Sequence, residues 1–146
     1  MTEVKLKPET IRQLLQMQKE EITSYRTYSR LAKIVKDEHN SATINRIANE
    51  ESRHYDIIKK YTNKDIKPDN MKVNFFFWLS KILGITFGIK LMEKGEEEAQ
   101  EAYREIAKEV PEIEKMLKDE ENHEKELMDM LDGRFEICRF CCVGSE

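Results

Sequence analysis

Two glutamate–histidine pairs with the same spacing are the residues of this sequence best suited to chemistry. Glu51 stands three residues before His54, and Glu120 stands three residues before His123, so two of the three histidines occur in the pattern E-x-x-H. On a helix, residues three apart lie on one face. Each pair therefore presents a carboxylate and an imidazole to one metal ion or to two adjacent ions.

Two further glutamates lie on helical stripes of largely apolar residues. They are Glu21 and Glu96, and each is followed seven residues later by a tyrosine, Tyr28 and Tyr103. The order glutamate, tyrosine, E-x-x-H thus occurs twice along the chain. One glutamate from each of two helices and an E-x-x-H from each of two others is typical of carboxylate-bridged di-iron or di-manganese sites. The predicted metal ligands are Glu21, Glu51, His54, Glu96, Glu120 and His123.

Charge supplies the physical reason for a metal. Four carboxylates in one helical core would repel one another and lose their hydration, so they persist there only by binding protons or cations. Two divalent ions cancel the four negative charges, and oxygen-rich ligation with two imidazoles suits iron, with manganese possible. The alternative is that these acids form solvated helix faces, which is common for a single E-x-x-H pair.

Tyr28 and Tyr103 are the candidate catalytic residues. We predict that each donates a hydrogen bond to a ligand carboxylate and thereby orients it. Packing in the core, the commoner role of an aromatic residue on a helix seam, is the alternative.

The spacing of apolar residues predicts the elements that position these groups. A first helix begins near Pro8 and stops before Asp37, and a second is capped by Asn40 or Ser41 and reaches Thr62. A break at residues 63–70 leads into a crossover and helix three, with possible bends at Gly84, Gly88 and Gly95. Helix four runs from Pro111 to Leu131. The short links predict an all-α four-helix bundle of two antiparallel hairpins joined by a long, partly helical crossover.

Composition and charge favour a single helical domain. The chain has 146 residues, of which 37% are charged and 39% hydrophobic, with 5 glycines and 3 prolines. Its net charge of −4 is spread over intermixed acids and bases, which leaves no basic stripe and excludes nucleic acid as a partner. No charged and then apolar leader opens the sequence, so we expect a cytoplasmic protein.

The C-terminal end is expected to stand apart from the helical domain. We divide the chain into a domain at residues 1–132 and a tail at residues 133–146. The tail holds all three cysteines, Cys138, Cys141 and Cys142, with a single C-x-x-C pair. Their crowding at one end is unlike a disulfide framework, and an incidental role is favoured over metal binding.

The crossover concentrates aromatic residues, including Phe75, Phe76, Phe77, Trp78 and Phe87. One small bundle cannot easily bury so many rings. Lysines 81 and 90 interrupt the segment, which favours an amphipathic helix over a membrane span. We predict a homodimer through this segment. Contact with a membrane surface, which would make the protein membrane-associated, is the alternative.

Four stretches of the chain resemble a known family. They are "QKEEITSYRTYSRLA", "EESRHYDIIKKYT", "FGIKLMEKGEEEAQEAYREIAKEVPE" and "DEENHEKELMDMLD". They are similar to rubrerythrins and the wider ferritin-like superfamily, and more closely to the rubrerythrin-type N-terminal domain of some vacuolar iron transporter family proteins. The resemblance implies a ferritin-like fold, non-haem di-iron binding, and oxidation of Fe(II) by dioxygen or hydrogen peroxide. The alternative function is an iron-binding or iron-sensing module that serves a membrane iron or manganese transporter.

The sequence departs from the rubrerythrin pattern in two places. Rubrerythrins commonly carry another helix-three glutamate three residues beyond the first, where this chain has Ala99, and Glu93 or Glu97 could substitute for it. A full rubrerythrin also has a rubredoxin site with two C-x-x-C pairs. One pair cannot build an Fe(Cys)4 centre within one chain, so we expect an external electron donor.

Overall fold

The computed structural model describes residues 5–141, with side chains described for residues 5–95, 97 and 99–130. Within that range every regular element is an α-helix, which confirms the predicted all-α class. The helices are α1 (Pro8–Ile34), α2 (Glu38–Thr62), α3 (Asn70–Leu83), α4 (Ile85–Ala107) and α5 (Pro111–Cys141).

Helix α2 begins earlier than the sequence predicted. Its N-cap is Asp37, whose carboxylate accepts a hydrogen bond from the backbone N–H of Asn40 at 2.8 Å. The predicted caps Asn40 and Ser41 are therefore wrong, because aspartate already satisfies the free N–H groups one turn before them. The hydroxyl of Ser41 instead donates to the carbonyl of Ala32 at 2.7 Å and ties the start of α2 to the end of α1.

Helices α1 and α2 run antiparallel. At the end opposite Ser41, Thr62 donates to the side-chain oxygen of Gln18 at 2.7 Å, and the Gln18 amide donates to the carbonyl of Lys64 at 2.8 Å. Asn63 ends α2 in the left-handed region, at φ 51°, a conformation that asparagine tolerates better than most residues. The buried Gln18 thus fastens both α2 and the following loop to α1.

Glycine separates the two helices of the crossover but does not interrupt the second. Gly84 has φ 98° and stands between α3 and α4, whereas α4 continues through Gly88 and Gly95. The bends proposed at Gly88 and Gly95 stay a prediction. A side chain at Gly88 would lie 1.7 Å from the hydroxyl of Ser80. Glycine at this position therefore allows α3 to pack closely on α4. No described helix combines the length and the apolarity that crossing a membrane requires.

Helix α5 extends beyond its predicted end. It starts at Pro111, as predicted, but continues past Leu131 to Cys141, because nothing between these residues stops a helix as proline would. The side chains after Met130, including those of Cys138 and Cys141, lie outside the described residues, as does all of Cys142. The division into residues 1–132 and 133–146 stays a prediction.

Two apolar clusters form the core, one on each side of a buried polar layer. Helices α1, α2, α4 and α5 contribute to both clusters. The first contains Tyr28, Leu31, Ala32, Val35, Ile44, Ile47, Ala48, Ile89, Met92 and Leu127. The second contains Leu14, Met17, Ile58, Ile106, Val110, Ile113 and Met116. The polar layer between them holds five of the six predicted ligands, which are Glu21, Glu51, His54, Glu120 and His123.

Candidate metal centre

Five of the six predicted ligands converge in the interior. They are Glu21 from α1, Glu51 and His54 from α2, and Glu120 and His123 from α5, each at most 8% exposed. One ligand atom from each of Glu21, Glu51, His54 and Glu120 lies within 4.8 Å of the other three. Three helices thus deliver acids and imidazoles to one place, because each side chain falls on the inward stripe of its helix.

Both histidines direct Nδ1 toward the acids. The Nδ1 atom of His54 lies 3.0 Å from Glu120 and 3.4 Å from Glu21. The Nδ1 atom of His123 lies 3.0 Å from Glu51 and 3.7 Å from Glu120. The two rings are stacked with their centroids 6.0 Å apart. Glu120 therefore reaches both imidazoles, while Glu21 and Glu51 each reach one.

These atoms approach one another without forming hydrogen bonds of acceptable geometry. Among the described side chains, six buried nitrogen or oxygen atoms have no hydrogen-bond partner, and five of them belong to this cluster. They are Glu21 Oε2, Glu51 Oε1, His54 Nδ1, Glu120 Oε1 and His123 Nδ1. A buried polar atom without a partner costs about 1–3 kcal/mol. Five such atoms in one cluster fit a set of metal ligands, since bound cations would satisfy them.

The outer faces of the imidazoles contact a second pair of acids. The Nε2 atom of His54 lies 3.2 Å from the carboxylate of Asp119, and the Nε2 atom of His123 contacts the carboxylate of Glu50. Each acid directly precedes the E-x-x-H glutamate of one helix and reaches the histidine of the other. Carboxylates in this position fix the tautomer and the orientation of a ligand histidine. Sequence reasoning missed both, although the signal is visible as an acid before each E-x-x-H.

Burial and neighbouring charges shift the pKa values of the cluster in opposite directions. Burial raises the pKa of Glu21, and burial with the charges of Glu120 and Glu21 raises the pKa of Glu51 well above its usual value. Burial alone would lower the pKa of each histidine, but the carboxylates near Nδ1 outweigh it and raise the pKa of His54 and of His123 to about 11. Burial alone would also raise the pKa of Glu120, yet the two imidazoles lower it to about 2. In the metal-free protein, the positive charges of the two protonated imidazoles therefore offset part of the negative charge of the carboxylates.

Helix α4 contributes Glu93 to the polar layer. Glu93 is 4% exposed, and its Oε1 accepts a hydrogen bond of 2.5 Å from the hydroxyl of Tyr28. Burial, with a further contribution from the charge of Glu120, raises the pKa of Glu93 to about 7. The other candidates on this helix differ: Glu97 is exposed, and the side chain of Glu96 lies outside the described residues.

A cavity of about 290 Å³ leads to the acids between α1 and α4. Its lining includes Glu21, Glu51, Glu120 and the half-buried Tyr103, together with apolar side chains such as Met92. A small oxidant would have room beside the acids. The predicted hydrogen bond from Tyr103 to a ligand carboxylate stays a prediction.

Fold and site together define an all-helical protein with a buried carboxylate–histidine cluster. The family model for rubrerythrin matches residues 2–62, which include α1, α2 and the side chains of Glu21, Glu51 and His54. This part of the chain is similar to rubrerythrins, which confirms the resemblance found in the sequence. Comparison with curated proteins gave no significant match, and comparison with solved structures gave none either. The likeness to vacuolar iron transporter proteins stays a prediction.

Proposed function

We propose that this protein is a non-haem di-iron carboxylate protein that oxidises Fe(II) with dioxygen or hydrogen peroxide. The observation that carries the proposal is the convergence of five buried ligand atoms that have no hydrogen-bond partner. Their chemistry, three carboxylates and two imidazoles, is the donor set that iron and manganese accept. The rubrerythrin match over residues 2–62 supports the same conclusion.

The arrangement we propose is a ferritin-like four-helix bundle. The hairpin of α1 and α2 would pair with the hairpin of α4 and α5, with α3 completing the crossover. Support comes from the two apolar clusters, since all four of these helices contribute side chains on both sides of the polar layer. Such a bundle holds the ligands on rigid elements, which keeps acids of like charge together even before a cation binds.

The proposed ligands divide by which histidine they approach. Glu21 and His54 would serve one ion, and His123 with a glutamate of α4 would serve the other. Glu120 approaches both histidines, and Glu51 approaches His123 and lies within 4.8 Å of the ligand atoms of Glu21, His54 and Glu120, so both would help to hold the pair. Glu93 is the described glutamate of α4 that fits, because it is buried and its charge interacts with Glu120 and His123. Glu96, three residues later on the same helix face, remains a proposed ligand as well.

The surrounding residues would orient this set and control access to it. A bound pair of ferrous ions would supply the electrons that reduce the oxidant. Tyr28 holds the carboxylate of Glu93 through its hydrogen bond, and Tyr103 borders the cavity by which a small oxidant would enter. Asp119 and Glu50 hold the imidazoles with Nδ1 inward. Repeated turnover also requires an electron donor, which we propose is a separate protein.

The test is an anaerobic Fe(II) titration of the metal-free full chain, with Mn(II) titrated in parallel. We expect saturation near two Fe(II) per chain, followed by near-ultraviolet absorption of ferric product when peroxide is added. The variant Glu51→Gln should lose binding, while Glu121→Gln, an exposed glutamate of α5, should keep it. Saturation at one ion, or no binding at all, would contradict the proposal.

A further inference from the structure

The exposed apolar side chains are concentrated in one segment. Every large hydrophobic residue that is exposed among the described side chains falls between residues 71 and 91. Four of them, Met71, Phe75, Trp78 and Ile82, are spaced by four, three and four residues along α3. They therefore form one continuous stripe on its outer face. We call these four residues the α3 stripe.

The inner face of α3 packs against the rest of the described chain. Val73 and Ser80 are buried, and the rings of Phe76 and Phe77 pack against the first apolar cluster. The guanidinium of Arg30 lies 3.9 Å from the centroid of the Phe77 ring, and Ser80 sits against Gly88 of α4. Because α3 is held on this side, it cannot rotate to bury the α3 stripe against the described part of its own chain.

The charge of the segment is opposite to that of the protein. Residues 70–92 contain three lysines, at positions 72, 81 and 90, and no aspartate or glutamate, whereas the chain as a whole carries a net charge of −4. The ammonium group of Lys81 lies 5.0 Å from the centroid of the Trp78 ring. A cation therefore stands directly beside the α3 stripe.

We propose that the α3 stripe docks on the surface of an anionic phospholipid bilayer, with α3 lying in the plane of the interface. Apolar and aromatic side chains would enter the boundary between headgroups and acyl chains, and Lys81 would meet lipid phosphate. An apolar helix face bordered by the ammonium group of Lys81 is complementary to such a surface. No described helix is suited to spanning a bilayer, so the contact would lie on the membrane.

A second copy of the chain fits the same surface less well. In a two-fold symmetric dimer the contact patch faces itself. The acid-free segment would then face an equally acid-free segment, and Lys81 would find no counter-charge within it. A bilayer offers both an apolar interior and anionic headgroups, which is why we favour it over the dimer predicted from sequence.

The chain contains its own reporter, because Trp78 is the only tryptophan and belongs to the α3 stripe. The experiment adds vesicles of phosphatidylcholine, with or without phosphatidylglycerol, to the full chain and records tryptophan emission and acrylamide quenching. We expect a blue shift and weaker quenching with the anionic vesicles, accompanied by co-sedimentation. High salt should weaken the binding, since screening reduces attraction between surface charges. Equal binding to neutral and anionic vesicles would contradict the proposal.

Single substitutions separate the apolar from the charged contribution to vesicle binding. Ile82→Ser should lower vesicle partitioning about tenfold, through loss of one buried aliphatic side chain. Lys81→Glu should lower it by about tenfold on anionic vesicles. Lys115→Glu, which makes the same charge change at an exposed site on α5, should not. Metal content and thermal unfolding should match the parent in all three, which separates this proposal from that of the metal centre.

Light scattering of the protein without lipid tests the alternative that a second copy of the chain covers the α3 stripe. A stable particle of twice the chain mass of 17.4 kDa, with a blue shift of Trp78 emission that depends on protein concentration alone, would show that a second copy covers the α3 stripe and would overturn the proposal. Absence of binding to any vesicle would overturn it equally.

Discussion

The Nε2 atom of His54 on α2 lies 3.2 Å from the carboxylate of Asp119 on α5. The reverse contact joins His123 on α5 to Glu50 on α2. Each helix therefore supplies the acid that orients the histidine of the other. The two contacts differ in surroundings, because Glu50 also pairs with Arg46 at 3.0 Å, whereas the side chain of Asp119 is 41% exposed. Metal affinity should depend on both acids although neither faces the ligand centre.

Replacing Asp119 by alanine should weaken Fe(II) binding. We expect a loss of about tenfold to hundredfold, the usual effect of removing an outer carboxylate from a ligand histidine. Anaerobic titration measures it, and the unfolding temperature should hardly change because the side chain is partly exposed. Asp129→Ala, at an exposed aspartate of the same helix, is the matched control. Equal affinities for the two variants would refute a positioning role for Asp119.

The glutamates of the two E-x-x-H pairs should respond oppositely to replacement by glutamine in the metal-free protein. Burial and like charges raise the pKa of Glu51, so its ionised form destabilises the fold at neutral pH and Glu51→Gln should stabilise it. The imidazoles lower the pKa of Glu120 to about 2, so Glu120→Gln removes a favourable charge and should destabilise it. We expect each change in the free energy of unfolding to exceed the ~0.5 kcal/mol typical of exposed substitutions. Urea denaturation with chelator present measures both, and shifts of the same sign would contradict this electrostatic description.

Glu93 should make the metal-free protein less stable as pH rises from about 4.5 to about 7. Its pKa is 4.5 when unperturbed and about 7 in the fold, so over this range the folded state holds a proton that the unfolded state has released. Stability conferred by that proton is complete below pH 4.5 and is lost as pH rises through 7, by about 3 kcal/mol in total.

The variant Glu93→Gln isolates this effect. Glutamine keeps an oxygen that can accept from Tyr28 but cannot ionise, so the fall in stability between these pH values should shrink by about that amount. Denaturation at several pH values measures it, with Glu121→Gln as the exposed control. A profile unchanged from the parent would show that Glu93 titrates normally.

The sequence predicted Glu51, His54, Glu120 and His123 because two constraints act on each of them. Glu51 and His54, for example, must share a helix face and must also fall on its apolar stripe. The pattern cannot decide between Glu93 and Glu96, because both lie on one face of α4. Which of them points toward the cluster depends on how the helix is rotated about its axis. Tertiary packing sets that rotation, which local patterning does not encode.

The spacing of residues along the sequence also could not predict the contacts between α2 and α5. Asp119 and Glu50 stand four residues before the histidine of their own helix, so spacing alone suggests a contact within the helix. The structure instead pairs each acid with the histidine of the other helix, a consequence of how closely α2 and α5 approach. The end of α5 was missed for a simpler reason: Asp132 and Gly133 are weak helix formers but do not break a helix as proline does.

Metal binding should release protons and should strengthen as pH rises. Both ligand histidines have a pKa of about 11, so each carries a proton at neutral pH that a cation at Nδ1 must displace. Calorimetric titration with Mn(II) in buffers of different ionisation enthalpy counts the protons, and we expect at least two per saturated chain. His54→Gln should release fewer and bind more weakly, whereas His39→Gln, at an exposed histidine of α2, should match the parent. Binding without proton release would mean that the imidazoles are neutral before the ion arrives, and that the acids beside them are compensated in another way.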